Sequence, residues 1–220
     1  MKTDSQLQQD VSAELQWEPS IHAAHIGVEV KDGVVTLAGH VDSYWEKWSA
    51  EQAALRVSGV KAIAIGLKVH LTSMSQRTDA DIAQAVKNAL DWTSTLPADA
   101  IAVMVEGGLV TLSGSVGWQY QRLAAANSVR HLMGVTGVSN QISITPLGTA
   151  AGSTLIKTDI EAALKRASIA DADNIEVAVK GSVVTLSGVV HNWDERDTAM
   201  YAAWGNSGVY NVVDNMTMAY

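Results

Sequence analysis

A nine-residue string returns twice along this chain, and that recurrence constrains the fold more than any other feature. GVVTLAGHV runs from Gly33 to Val41, GLVTLSGSV from Gly108 to Val116 and SVVTLSGVV from Ser182 to Val190, at offsets of 75 and 74 residues. The same offsets carry Leu7, Val11 and Leu15 onto Ile82, Val86 and Leu90, and then onto Ile156, Ile160 and Leu164. They also align Gly59-Val60 with Gly134-Val135 and Gly208-Val209. A match held in register over a whole unit, without gaps, is a duplication. The 220 residues therefore divide into three domains, 1–72, 76–147 and 153–220, each near the small end of what folds alone. Thr72 to Arg77 (TSMSQR) and Pro146 to Ser153 (PLGTAAGS) break both periodicities, as linkers do.

Each unit reads in one order. Leu7, Val11 and Leu15 recur every four residues and form one stripe of an amphipathic helix. Thr3 with Gln6, and Thr78 with Asp81, stand where an N-cap and its reciprocal partner belong. The period then changes to two: Ile26, Val28 and Val30 alternate with Gly27, Glu29 and Lys31, and Val35 and Leu37 follow in the same way. Between these runs Asp32-Gly33, Gly107-Gly108 and Gly181-Ser182 supply residues that suit a tight hairpin turn. An Ala-rich helix follows, with Ala50, Ala53 and Ala54 in the first copy and Ala199, Ala202 and Ala203 in the third. Gly59, Gly134 and Gly208 fall where a helix end turns left-handed. A last strand carries Ile63, Ile65, Leu67 and Val69, and in the second copy Ser139, Gln141, Ser143 and Thr145 mark its polar face. The unit is helix, strand, strand, helix, strand.

That order, with its V-x-V strand, G-x-VTL-[SA]-G-x-V core and GV-x-x-V ending, resembles the BON domain (bacterial OsmY and nodulation) over nearly the whole chain. The fold class expected is α+β: three tandem αββαβ domains, each a three-stranded sheet with two helices on one face. The family's Asn two residues after the last of those valines is kept as Asn140, approximated by Asp214 and replaced by Ile65 in the first copy. The charged pair opening the second helix is Glu46-Lys47 and Glu195-Arg196, but Gln121-Arg122 in the middle copy. These departures imply that the first and middle units differ in what they bind.

Chemistry is harder to find. There are no cysteines, which removes thiolate nucleophiles, disulfides, zinc fingers and iron–sulfur clusters. Fifteen Lys and Arg against 23 Asp and Glu give a net charge of −8, the wrong sign for a nucleic-acid partner. His22 and His25, with His40 past the hairpin, read as polar loop histidines, because no aligned copy has a histidine at 22 or 25 and no local acidic cluster completes a metal set. Asp194, Glu195, Asp197 and His191 resemble parts of a catalytic triad, but acids at a helix start complement its dipole. No enzyme, no metal and no cofactor are expected. The N-terminus turns polar at once, so no secretory leader is expected. No window approaches the roughly 18 apolar residues of a spanning helix. A soluble, cytoplasmic chain without a transmembrane segment is the expectation.

The aromatics carry more information. The chain has seven Trp and five Tyr but no Phe. Tyr44, Trp45, Trp118 and Trp193 fall where the second strand hands over to the second helix, at positions that slip by a residue or two between copies. They are the expected contact residues for a phospholipid surface or a protein partner. Trp17 and Trp92, at the end of the first helix, read as caps on the core. Lys47, Arg56, Lys61 and Lys68 are a candidate basic patch in the first unit that offsets the acidic mean. The resemblance implies a non-catalytic binding protein with an osmotic or envelope stress role and contacts with phospholipid. Two alternatives stand beside it: a sensor of K+ or another cation, held by carbonyls that leave no motif, and a homo-oligomeric scaffold built through bare sheet faces and edges.

Overall fold

The computed structural model describes residues 2–145, 152–167 and 174–219. The second predicted linker falls, for residues 146–151, outside them. In the first repeat, α1 (Asp4–Trp17) is followed by a short 3-10 turn (Ala23–His25), β1 (Ile26–Lys31), β2 (Val34–Val41), α2 (Tyr44–Arg56) and β3 (Ala62–Val69). The second repeat runs α3 (Asp79–Asp91), β4 (Ile101–Glu106), β5 (Leu109–Val116), α4 (Gln119–Val129) and β6 (Gly137–Ile144). The third runs α5 (Ser153–Arg166), β7 (Ile175–Lys180), β8 (Val183–Val190), α6 (Trp193–Trp204) and β9 (Asn211–Met218). By internal contacts the chain forms two compact units, Met1–Gly114 with Leu123–Ile142, and Ser115–Arg122 with Ser143–Tyr220.

Three separate three-stranded sheets result, ordered β1-β2-β3, β4-β5-β6 and β7-β8-β9. The VTL string is the central strand of each. β1 pairs antiparallel with β2 through the predicted hairpin, with Val28 opposite Leu37. β3 lies parallel to β2, with Val35 opposite Ile63 and Leu37 opposite Ile65, and β9 lies parallel to β8 in the same way. A parallel return requires a crossover element, and α2 and α6 supply it.

Alternation decides which sheet face the helices cover. Val35, Leu37 and Val41 point inward and are buried against Leu7, Val11 and Leu15 of α1 and against Ala50, Ala53 and Ala54 of α2. The third repeat reproduces this cluster with Val184, Leu186 and Val190 under Ile156, Ile160 and Leu164. Each such Leu or Ile contributes about 1.5–3 kcal/mol by leaving water. The alanines keep the second helix close to the sheet, where a longer side chain would push it away. On β6, Ile142 and Ile144 are buried while Gln141 and Ser143 are exposed, so one face is apolar and the other wet.

The turns show where glycine is required. Asp32-Gly33 and Gly107-Gly108 hold positive φ at both positions, whereas in the third repeat Gly181 does and Ser182 does not. An acid at the start of the first helix locks each of the first two hairpins. The Asp4 carboxylate accepts the N–H groups of Asp32 and Gly33 at 2.8 and 3.0 Å, and that of Asp79 accepts those of Gly107 and Gly108 at 2.9 Å each. The helix-end reading holds for Gly59, at φ 102° just past α2, but needs correction for Gly134 and Gly208. Gly208 has no positive φ, and Gly134 lies five residues beyond the end of α4. A methyl group on Gly134 or Gly208 would press on Ile82 or Ile156, so these glycines admit the first core residue of the neighbouring helix.

Candidate functional site

The corner between the second strand and the second helix is built alike in all three repeats. In the first, Ser43 caps α2 by accepting the Glu46 N–H, and the Glu46 carboxylate reaches back to accept the Asp42 N–H at 2.8 Å and the His22 N–H at 2.6 Å. In the third, Asn192 caps α6, and Glu195 accepts the His191 N–H at 2.7 Å. In the second, the Gln121 amide oxygen accepts the N–H groups of Gly117 and Trp118 at 3.0 and 3.1 Å. Glu46 and Gln121 are both buried. An acceptor at this position closes the corner whether or not it is charged, which explains why Gln121 replaces Glu without disturbing the turn. The corner therefore closes alike in both units, and the difference between them lies in the charge that Glu46 carries and Gln121 lacks.

Each corner presents aromatic rings, all half-buried. Tyr44 and Trp45 stand in the first turn of α2, Trp118 just before α4 and Trp193 at the start of α6. Trp45 stacks on Trp48 at 4.9 Å between centroids and meets His131 at 4.0 Å. The Arg130 guanidinium lies 4.2 Å over the Trp48 ring. Within the first compact unit, then, the aromatic edge of repeat 1 joins the segment that follows α4 of repeat 2. Burial pushes the Glu51 carboxyl above its ordinary value against the pull of Lys47 and Arg130. Burial likewise pushes the Arg130 guanidinium down, against Tyr44 and Glu51. Trp118 packs 6.2 Å from Tyr120. Trp193 carries Arg196 at 5.0 Å over its ring, and Arg196 donates to Asp214 at 2.6 Å.

Trp17 and Trp92 do not cap the core. They are 83% and 90% exposed. The cause is helical phase: each stands two residues, about 200° of rotation, beyond the last buried residue of its helix, Leu15 or Leu90. That spacing was present in the sequence, and it places both rings on the side away from the sheet.

A family model for the BON domain matches residues 3–70, 78–146 and 153–220. The chain belongs to the BON domain family. The osmotically-inducible protein Y of Escherichia coli K12 is 28% identical over 145 residues, which are 63% of this chain and 71% of that protein. Among solved structures the chain is similar to CdsD, a structural protein of the type III secretion system of Chlamydia trachomatis, at 16% identity, covering 96% of this chain and 91% of that one with a TM-score of 0.27. It is also similar to the PrgH periplasmic domain at 11% identity, 89% and 96% coverage and a TM-score of 0.23.

The variable third-strand position of these BON domains now has a role. Asn140 and Asp214 accept the N–H two residues on, from Ile142 and Met216, and Asp214 also holds Arg196. The four residues of the basic patch predicted in the first BON domain stand in different settings. Arg56 is clamped between Glu14 at 3.0 Å and Glu18 at 3.1 Å. Lys68 lies on the exposed face of β3, whose other face meets the helices, while Lys47 is carried by α2 on the covered side. The aliphatic part of Lys61 lies over Gly33 at the hairpin. Two histidine groups also appear in this domain. His25, His40 and His70 stack at 4.5 and 5.4 Å, and His22 stands beside Glu46 rather than beside His25. No described helix is long and apolar enough to cross a membrane.

Proposed function

We propose that this BON protein is a non-catalytic binding protein of the osmotic-stress response that meets phospholipid surfaces through aromatic side chains at the ends of its first helices. The observation that carries the reading is the exposure of Trp17 and Trp92 at equivalent positions of consecutive repeats. A tryptophan that finds no protein partner gains by placing its ring in the bilayer interface, where the apolar body leaves water and the indole N–H stays hydrated. Membership of the BON family and similarity to osmotically-inducible protein Y support the stress role. Trp118 and Trp193 are the further contact positions in this reading. Tyr44 and Trp45 belong with them by position, although Trp45 already packs on His131.

Charge sets the lipid preference. A net charge of −8 gives no attraction to anionic headgroups, where each basic residue would contribute about 1 kcal/mol. The contact is therefore apolar, weakly sensitive to salt on zwitterionic vesicles and weaker on anionic ones, which repel the acidic chain. Cosedimentation with phosphatidylcholine vesicles tests this. The wild type is expected to pellet with lipid, and Trp17→Ala/Trp92→Ala to lose about 100-fold in partitioning, as expected for two rings returned to water at about 1.5 kcal/mol each. Equal pelleting of the wild type and the double variant would exclude these rings as the contact.

A further inference from the structure

The geometry points to a divalent-cation site in the first BON domain, formed by His22, Asp42 and Glu46 and suited to Zn2+; we propose it independently of the lipid reading. One ligating atom from each of the three side chains lies within 4.8 Å of the other two. His22 comes from the segment after α1, Asp42 from the corner after β2, and Glu46 from the first turn of α2. The corner tie brings them together, because Glu46 accepts the backbone N–H groups of both other residues. His22 Nδ1 and Glu46 Oε1 are 3.0 Å apart, a span that a metal with bonds of about 2.0–2.2 Å bridges. Glu46 is 4% exposed and so holds a fixed carboxylate, whereas His22 and Asp42 are open to solvent, which leaves an entry path and room for a water ligand.

Ligand chemistry narrows the cation. One imidazole with two carboxylates suits a borderline metal such as Zn2+, while Mg2+ and Ca2+ favour oxygen alone. The two carboxylates also balance the metal's charge. The middle repeat provides an internal comparison, with Pro97, Gly117 and Gln121 at the three equivalent positions. There the tie survives on a neutral amide, so closing the corner does not require the Glu46 charge or the neighbouring His and Asp.

Zn2+ alone is titrated into the full chain by calorimetry, beside Glu46→Gln, which keeps the acceptor as Gln121 does, and His22→Gln at an exposed position. The expected result is an equivalent of Zn2+ bound by the wild type that is weakened in both variants by more than about 100-fold, the upper end of what an outer-shell change costs. Thermal melting with Zn2+ is expected to rise in the wild type only. No Zn2+ uptake, or wild-type stoichiometry and affinity in both variants, would overturn the site. Loss of binding only in His40→Gln would do the same, by moving the metal to the stacked imidazoles of His25, His40 and His70.

Discussion

Gly39, Gly114 and Gly188 lie two residues before the ends of the central strands at φ of 133°, 129° and 126°, and a methyl group on any of them would overlap the carbonyl oxygen of His25, Ala100 or Asn174. Backbone strain of this kind costs about 1–3 kcal/mol before the overlap is counted. Gly114→Ala is therefore expected to lower the unfolding free energy by at least about 2 kcal/mol in urea denaturation, and an unchanged midpoint would contradict the account of the strand end. Glu46 allows a sharper comparison. Glu46→Ala leaves two N–H groups without their acceptor and is expected to cost about 1–3 kcal/mol, whereas Glu46→Gln retains most of the stability. These two kinds of residue differed in legibility. The glycines announced themselves by recurring in every VTL string. The role of Glu46 did not, because a sequence shows a charge but not the backbone groups that it accepts from, and His22 lies 24 residues away.

Helix starts distinguish the repeats at the next scale. Thr3 with Gln6 and Thr78 with Asp81 form full capping boxes, as the spacing predicts, but Gly152 caps α5 with no side chain. The third repeat also has Ser153 where Asp4 and Asp79 lock their hairpins. Gly152→Thr/Ser153→Asp is expected to stabilise the third repeat by about 1 kcal/mol, read as a raised calorimetric transition; no described residue stands where a Cβ on Gly152 would go. The capping box of α3 also carries a pH dependence. Hydrogen bonds from the Thr78 hydroxyl and N–H hold the Asp81 carboxyl below its ordinary value of 3.8. A depressed acid stabilises the fold above its unfolded-state value and loses that contribution as pH falls through the folded one. The second repeat is expected to weaken as pH drops below 3.8, and Asp81→Asn to flatten that dependence in acid titration followed by circular dichroism. Element order, hairpins and core stripes were legible because the period changes from four to two in every copy. Strand order was not, since the parallel return of β3 depends on where α2 leads the chain.

Across the whole molecule, the aromatic rings fall into two groups that composition does not separate. Trp45 and Trp48 meet His131 and Arg130 and join the first two repeats within one compact unit. Trp48→Ala removes the ring under Arg130 and is expected to destabilise that unit by about 1–3 kcal/mol, with the cation–π contact among the losses. Among the described residues Trp17 and Trp92 have no such partner ring, and they remain open to solvent. Their helical phase was readable beforehand, whereas the Trp45–His131 contact lies 86 residues apart in sequence and had no local trace. In the function proposed above, these two exposed rings enter a lipid interface. Quenching of tryptophan emission by phosphatidylcholine brominated along its acyl chains reads that insertion directly. The account predicts strong quenching in wild type, little change with salt, and loss of the quenched component in Trp17→Ala/Trp92→Ala. Absence of quenching in the wild type, or undiminished quenching in the double variant, would contradict it.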